Sequence, residues 1–169
     1  MELLLGAGQR HEKSILLTGD TQEWKELITL DFNAEHNPDV VHNLEVFPYP
    51  FPDDTFDEIH AYEVLEHQGS QGDWEFFFTQ FSEFHRILKP NGRFYATVPH
   101  WQSVWAFGDP SHRRVIPLES LVFLSQWEYK EQVGKTPMSD FRFYYKADFR
   151  VIFNCVKHET SAFVLKAFK

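Results

Sequence analysis

Apolar segments of strand length recur along this chain, and stretches suited to helices or turns separate them. The first segment is residues 2–5, closed by the turn Gly6-Ala7-Gly8, and the second is residues 27–30, which end at Asp31. Short apolar runs bounded by glycine or polar turn residues are typical of buried strands. Strands that alternate with helices in this way predict an α/β fold, in which helices cover both faces of a mostly parallel sheet.

Five further strands and two helices follow from the same patterns. The strands are predicted at residues 40–41, 57–62, 92–98, 149–156 and 162–168. The clearest helix is residues 73–88, where Asp73 can cap the amino terminus and apolar residues recur at three- and four-residue spacing. Pro90-Asn91-Gly92 ends it. A second helix is predicted over residues 118–127, whereas Gly19 permits only a short helix within residues 14–26.

Residues that could bind a ligand follow the ends of the predicted strands. These positions are residues 6–10, Asp31, Asn43, residues 63–67 and residues 99–101. Open parallel sheets bind ligands outside the carboxyl ends of their strands, at the switch in strand order. The shared placement therefore predicts one ligand site at that edge of the sheet.

Length, charge and cysteine content limit the class of protein. The chain of 169 residues suits one domain, residues 1–169, and the formal net charge of -9 opposes tight docking on nucleic acid or on an anionic membrane. The single cysteine, Cys155, excludes an intrachain disulfide, and its apolar context is typical of a buried small side chain. No signal peptide or membrane-spanning segment is visible, so we expect a cytoplasmic protein.

The Gly6-Ala7-Gly8 turn and Asp31 together predict a nucleoside site. Glycines let the backbone approach a ligand closely, and an acidic residue about 20 residues further on can accept hydrogen bonds from ribose hydroxyls. A loop carboxylate that caps a turn is the alternative interpretation of Asp31. A dinucleotide site would have a third glycine where His11 stands. S-adenosylmethionine carries no phosphates, and its sulfonium cation gains from acidic surroundings, so it fits this pattern better.

Further blocks occur in the order found in class I S-adenosylmethionine-dependent methyltransferases. They are residues 39–44 (Asp-Val-Val-His-Asn-Leu), residues 50–59, residues 63–67 (Glu-Val-Leu-Glu-His) and residues 88–94 (Leu-Lys-Pro-Asn-Gly-Arg-Phe). With the glycine turn, they make residues 2–100 resemble this family, as a small member that lacks the usual helix before the first strand. The resemblance implies a Rossmann-like, mostly parallel seven-stranded sheet with an antiparallel carboxyl-terminal strand and helices on both faces.

The resemblance also implies roles in cofactor binding. The residues expected to line the cofactor are Gly6, Ala7, Gly8, Gln9, Asp31, Phe32, Asn43, Leu44 and Glu63. The glycine turn would line the amino-acid half, Asp31 would hold the ribose hydroxyls, and Phe32 would lie against the adenine. Asn43, where the family more often has Asp, would meet the adenine edge with Leu44. Glu63 would lie beside the methionyl part, with an exposed carboxylate at a helix start as the alternative.

Methyl transfer also needs groups that align the acceptor and take up a proton. By their positions near Glu63 and the end of the fifth strand, the catalytic candidates are His100, Asp109 and His112, and the substrate-binding candidates are His67, Trp101 and Arg113. Residues 108–113 resemble a loop of some family members, which we interpret as an acceptor loop rather than a structural turn. For His67 we favour a structural hydrogen bond. Zinc-type spacing is missing, so we expect no metal site.

The sequence thus predicts an S-adenosylmethionine-dependent methyltransferase whose acceptor is a small molecule, glycan or protein rather than a nucleic acid. One alternative is a catalytically silent module of the same fold that binds S-adenosylmethionine or serves as a partner subunit. Another is a nicotinamide-dependent reductase, against which the missing third glycine counts. No membrane partner is expected, and a homodimer is left open because the aromatic residues of the 101–107 segment suit either a dimer patch or an acceptor platform.

Overall fold

Seven strands form one sheet in the computed structural model, which describes residues 1–169. Their bounds are Glu2–Leu5 (β1), Leu27–Asp31 (β2), Val40–Val41 (β3), Phe56–Tyr62 (β4), Leu88–Pro99 (β5), Asp148–Lys157 (β6) and Thr160–Phe168 (β7). The order across the sheet is β3-β2-β1-β4-β5-β7-β6. Strands β1 to β5 run parallel, and β7 runs antiparallel to β5 and β6. The predicted Rossmann-like sheet with its antiparallel last strand is confirmed.

Three α-helices and three 3-10 helices lie between the strands. They are the α-helices Trp74–Ile87 (α1), Trp105–Gly108 (α2) and Gln126–Gln132 (α3), together with the 3-10 helices Ala34–His36, Leu65–His67 and Leu118–Leu124. The prediction of one continuous helix over residues 118–127 is wrong. The backbone of Ser125 is extended, and its hydroxyl accepts a hydrogen bond from the N–H of Glu128 at 3.3 Å, so a new helix begins there. None of the helices combines the length and the apolar character that crossing a membrane requires.

Helix α1 forms where its sequence pattern predicts it. The Asp73 carboxylate accepts a hydrogen bond from the N–H of Phe76 at 3.0 Å and so caps the helix. Its buried apolar side chains are Phe78, Phe81, Phe84 and Ile87, which join the main core. Burying a side chain of this size contributes about 1.5–3 kcal/mol, so packing rather than helix propensity holds α1 in place.

The main core lies on one face of the sheet. Leu3 and Leu5 of β1 and Ile59 of β4 point into it, together with the buried residues of α1, α3 and the 3-10 helix Leu118–Leu124. The opposite face carries a much smaller apolar cluster, in which Ile15 packs on β5 and β7. Residues 9–26, which cross this second face, contain no helix. The expectation of helices on both faces therefore holds for one face only.

Buried charges explain why residues 9–26 do not form a helix. The Glu2 carboxylate of β1 pairs with the ammonium group of Lys13 at 3.0 Å and accepts a hydrogen bond from the N–H of Lys25. The N–H of Leu17 donates to the Asp20 carboxylate at 2.8 Å. Backbone groups that a helix would pair internally thus bond instead to side chains, including one from the sheet below.

Candidate functional site

A cavity of about 750 Å³ lies at the carboxyl ends of β1, β2, β3 and β4. Strand β1 has β2 on one side and β4 on the other, so the strand order changes direction here. This is the position at which open parallel sheets bind ligands. The residues that line the cavity are Gly6, Gly8, Leu30, Asp31, Phe32, His36, His42, Asn43, Leu44, Glu45, Glu63, Val64, His67, Gln68 and Ser111.

The turn after β1 needs glycine at both ends. Gly6 and Gly8 have left-handed backbones, with φ of +57° and +52°. A β-carbon on Gly6 would lie 2.6 Å from Cγ2 of Val64, whereas one on Gly8 would have only the carbonyl oxygen of Gly6 near it, at 3.9 Å. Gly6 is therefore fixed by close packing, and the turn at Gly8 is open toward the cavity.

Asp31 ties β2 to this glycine turn. Its carboxylate accepts hydrogen bonds from the N–H of Gly8 at 2.9 Å and the N–H of Asn33 at 2.8 Å, and it lies 3.1 Å from Nδ1 of His36. Burial acts to raise the pKa of Asp31, but these hydrogen bonds outweigh it and hold the pKa below its usual value. Asp31 is therefore ionised at neutral pH. Since a carboxylate has about four acceptor positions, it retains capacity for a ligand hydroxyl.

Two exposed side chains on the β2 and β3 rim differ in their contacts. The Phe32 ring is 77% exposed at the cavity edge, an unusual environment for so large an apolar group. Asn43 is held by its own turn, because its side-chain oxygen accepts a hydrogen bond from the N–H of Glu45 at 3.0 Å. The rim thus offers a free aromatic face beside a fixed amide.

Glu63, which directly follows β4, lines both the first cavity and a second one of about 500 Å³. Its backbone is left-handed at φ +53°, and its N–H donates to the carbonyl of Thr97 on β5 at 2.9 Å. A non-glycine residue in this conformation is strained, and such strain is concentrated at functional sites. The second cavity is lined by Glu63, Glu66, His67, Pro99, Ser103, Trp105, Asp109, His112, His158, Glu159 and Thr160.

Glu66 is the most unusual group of the second cavity. Its side chain is 2% exposed, and neither carboxylate oxygen has a hydrogen-bond partner. Burial, reinforced by the neighbouring Glu63 carboxylate, raises the pKa of Glu66 to about 8. The imidazoles of His67 and His112 lie within 4.0 Å of it, which makes these three residues a candidate metal-ligand set.

Comparison with known proteins shows what part of this chain is similar to. Residues 19–96 match a family model described as a methyltransferase domain. No curated protein matches the sequence significantly.

Several solved structures share the fold of this chain. An S-adenosylmethionine-dependent methyltransferase from Archaeoglobus fulgidus is 15% identical, with a TM-score of 0.58 over 98% of this chain and 85% of that one. A chain of the complex between Haloferax volcanii Trm112, a methyltransferase activator, and its proposed methyltransferase partner is 16% identical, with a TM-score of 0.60 over 99% and 82%. The N-methyltransferase NodS from Bradyrhizobium japonicum is 11% identical, with a TM-score of 0.56 over 99% and 85%.

Most of the residues expected at the cofactor lie around the first cavity. They are Gly6, Gly8, Asp31, Phe32, Asn43, Leu44 and Glu63. Ala7 and Gln9 do not line it. Ala7 turns its methyl group into the protein and donates its N–H to the carbonyl of Leu30 at 3.2 Å, while Gln9 is exposed beyond the turn.

The residues expected on the acceptor side separate into two groups. Asp109, His112 and His67 line the second cavity, but His100, Trp101 and Arg113 do not. The chain turns away after β5, because the N–H of Ser103 donates to the carbonyl of His100 at 2.7 Å. Trp101 lines a separate depression with Phe107, and the Arg113 guanidinium pairs with Glu45.

Several residues that line the two cavities were not assigned a role from the sequence. They are His36, His42, Val64, Glu66, Ser111, His158 and Glu159. His36 follows Asp31 closely enough that a short turn would bring them together, which was a usable signal. The burial of Glu66 had no such signal, because it depends on the later segment around His112.

Proposed function

We propose that this chain binds S-adenosylmethionine in the first cavity and transfers its methyl group to an acceptor held in the second. The observation that carries the proposal is that the glycine turn, Asp31, Phe32 and Glu63 surround one cavity, and that Glu63 also lines the next. S-adenosylmethionine, when bound, supplies a methyl group on a positively charged sulfur. The chain has to bind and orient both reactants and to shield the cation.

The first cavity fits the parts of this cofactor. The ionised Asp31 carboxylate suits two ribose hydroxyls, and the exposed Phe32 ring with Leu44 suits a planar adenine. The open backbone at Gly8 leaves room for the amino-acid half. Glu63 and Asp31 make the cavity acidic, which favours a sulfonium cation over a pyrophosphate.

A dinucleotide fits less well. Such a site places its pyrophosphate at the amino terminus of the helix that follows the glycine turn. Residues 9–26 form no helix, and no arginine or lysine lines the cavity. These observations argue against the nicotinamide-dependent alternative.

The acceptor proposed for the second cavity is neutral or cationic. Four carboxylates and no arginine or lysine line this cavity, whose acidic residues are Glu63, Glu66, Asp109 and Glu159. Such a lining repels the phosphates of a nucleic acid, in agreement with the net charge of the chain. A small molecule, a glycan or a protein side chain therefore suits it better. His112 and His67 are the proposed proton acceptors, since imidazole takes up protons near neutral pH.

A partner-dependent or catalytically silent module is the second candidate. It is favoured by the Haloferax volcanii neighbour, which forms a complex with a methyltransferase activator. Turnover of labelled S-adenosylmethionine, with the purified chain alone and with an extract of the native host, separates the candidates. Methylated product from the chain alone excludes the silent module, whereas product that requires the extract supports a partner or an acceptor supplied by the host.

Calorimetric titration with S-adenosylhomocysteine tests the proposed cofactor. We expect one binding event with a dissociation constant on the order of 10 µM, an affinity typical of enzyme sites. Phe32→Ala should weaken it, and Phe107→Ala is the matched control, because Phe107 is 75% exposed but lies outside the first cavity. Absence of binding by the folded chain at millimolar ligand would remove the proposal.

A further inference from the structure

The buried carboxyl group of Glu66 has no hydrogen-bond partner in the chain. Both of its oxygens are shielded from solvent, and no donor reaches either of them. The nearby Arg114 guanidinium donates instead to the carbonyl of Leu65 and to the side chain of Gln80. A buried carboxyl group without partners costs free energy whether it is ionised or protonated, so we expect a ligand from outside the chain to complete this site.

Two imidazoles present lone pairs to this carboxylate. Nδ1 of His112 donates to the carbonyl oxygen of Trp105 at 2.8 Å, which leaves Nε2 unprotonated in the neutral ring. That Nε2 lies 4.0 Å from Oε1 of Glu66 and 3.8 Å from Oδ2 of Asp109. Nδ1 of His67 lies 3.3 Å from the carbonyl oxygen of Ser111, which can only accept, so its Nε2, 3.9 Å from Oε1 of Glu66, is also a lone-pair nitrogen.

We propose that Glu66, His67 and His112 bind a divalent transition-metal ion such as Zn²⁺, with Asp109 beside it as a fourth ligand or as a group that orients His112. Two imidazoles and a carboxylate are a known ligand set for zinc sites that keep one position open. Backbone carbonyls that fix the opposite ring nitrogens are the usual support of histidine ligands.

The distances suit a small cation after slight contraction. The three ligand atoms lie within 4.8 Å of one another. Zinc ligands at about 2.1 Å from the metal stand ~3.4 Å apart in a tetrahedral site, so the Glu66 pairs would close by about 0.5 Å. All three residues line the second cavity, and the open position would therefore face it.

A second group of potential ligands gives the contrasting case. Glu2, Glu58 and His60 also cluster beneath residues 9–26. There Lys13 lies 3.0 Å from Glu2 and 3.6 Å from Glu58, and the Arg93 guanidinium also pairs with Glu58. Lysine and arginine side chains thus pair directly with that cluster, whereas the ion pairs of Glu66 involve only His67 and His112.

A metal at this position narrows the acceptor class, and this step rests on the proposed methyl transfer. An open coordination position on such a metal would bind an oxygen atom of the acceptor. Coordination lowers the pKa of a bound hydroxyl. The acceptor would then be a neutral hydroxyl compound. Its proton would pass to Glu63 or Glu159 of the same cavity rather than to His67 or His112, whose lone pairs the metal would occupy.

Equilibrium dialysis of the full chain against Zn²⁺, followed by elemental analysis, tests the site. After treatment with a chelator, the chain should take up one equivalent of metal. Glu66→Gln and His112→Gln should each lower the affinity for the metal at least about 100-fold. Loss of a group that merely supports a ligand costs up to about 100-fold, so loss of a ligand itself should cost no less. His158→Ala is the control, because His158 lines the same cavity outside the ligand set and should leave uptake unchanged.

Circular dichroism shows whether each variant folds, and His67→Gln gives a third variant if one of the others does not. The proposal is overturned if the folded chain takes up no metal, or if uptake survives in the folded ligand variants. Titration of the metal-free chain with S-adenosylhomocysteine keeps the two proposals separate. Nucleoside binding without metal uptake contradicts only the metal site, and metal uptake without nucleoside binding contradicts only the proposed function.

Discussion

Asp31 has two tasks that the structure makes inseparable. It anchors the glycine turn through the N–H of Gly8, and it presents a carboxylate to the first cavity. A variant therefore loses a ligand contact and a turn contact together. This coupling explains why the acidic residue and the glycines recur as one sequence pattern rather than as separate signals.

We expect Asp31→Ala to weaken S-adenosylhomocysteine binding by about 1–3 kcal/mol, the range for loss of a hydrogen bond to a charged group. Calorimetric titration measures the change. Asp53→Ala is the matched control, because Asp53 is an exposed carboxylate outside both cavities. Unchanged affinity in Asp31→Ala would take Asp31 out of the site.

The two glycines should differ in their response to alanine. Both positions have left-handed backbones, which add about 1–2 kcal/mol of strain for a residue with a β-carbon. Only Gly6→Ala also drives a methyl group against the stiff Val64 side chain. Urea unfolding should therefore show a larger loss of unfolding free energy in Gly6→Ala than in Gly8→Ala. Equal losses would mean that the Val64 contact does not restrict the turn.

Residue type was enough to anticipate much of the first cavity but little of the second. The glycines, Asp31 and Glu63 follow strands, and strand ends are readable from the sequence. Glu66 becomes unusual only through burial beneath a segment 46 residues later, where His112 lies. His100 and Trp101 are adjacent to β5 in sequence, yet the turn after Pro99 carries them away from the cavity.

At the scale of single elements, α1 forms where the sequence predicts it because its apolar spacing and its cap indicate the same helix. Four buried residues face the core, and Asp73 satisfies a backbone donor at its start. The segment after Pro117 lacked such consistency. Its apolar residues suited one helix, but Ser125 could also cap the amino terminus of a new one. The break at Ser125 allows Tyr129 to pack in the core.

The cap of α1 gives a prediction at this scale. Asp73→Ala should lower the unfolding free energy by about 1 kcal/mol, because it leaves the N–H of Phe76 without its partner. Thermal unfolding measures this as a loss of about 2–4 °C for a chain of this size. Glu75→Ala, in the same first turn but without a capping bond, should change the midpoint much less.

The charged cluster beneath residues 9–26 gives stability that depends on pH. Glu58 is partly buried, which raises its pKa, but His60, Arg93 and Lys13 outweigh this and lower the pKa to about 2 from 4.5. Glu2 and Asp20 are the other charged groups at this cluster. Because the folded pKa lies below the unfolded one, the contribution of Glu58 is complete above about pH 4.5 and is lost as the pH falls toward 2.

Glu58→Gln should therefore reduce the loss of stability on acidification. Urea unfolding at neutral pH and near pH 3 measures the difference between the two conditions. Glu26→Gln is the matched control, since the Glu26 side chain is 80% exposed. If Glu58→Gln and the natural chain lose equal stability on acidification, the cluster does not hold residues 9–26 to the sheet in the way described here.

At the scale of the whole molecule, strand order determines where chemistry can occur. The carboxyl ends of β1, β2 and β4 meet because the chain passes from β1 to β2 and β3 on one side and returns to β4 and β5 on the other. The alternation of strands and connections was readable from the sequence. The loop of residues 9–26 that covers the second face of the sheet was not readable from the sequence. Buried ion pairs hold this loop, and it lacks the periodicity of a helix.

A crystal structure of the chain with S-adenosylhomocysteine tests the identity of the nucleoside cavity most directly. We predict ribose hydroxyls within hydrogen-bonding distance of Asp31, adenine against Phe32 and the sulfur end near Glu63. A nucleoside bound elsewhere on the chain, with the first cavity empty of it, would contradict this assignment.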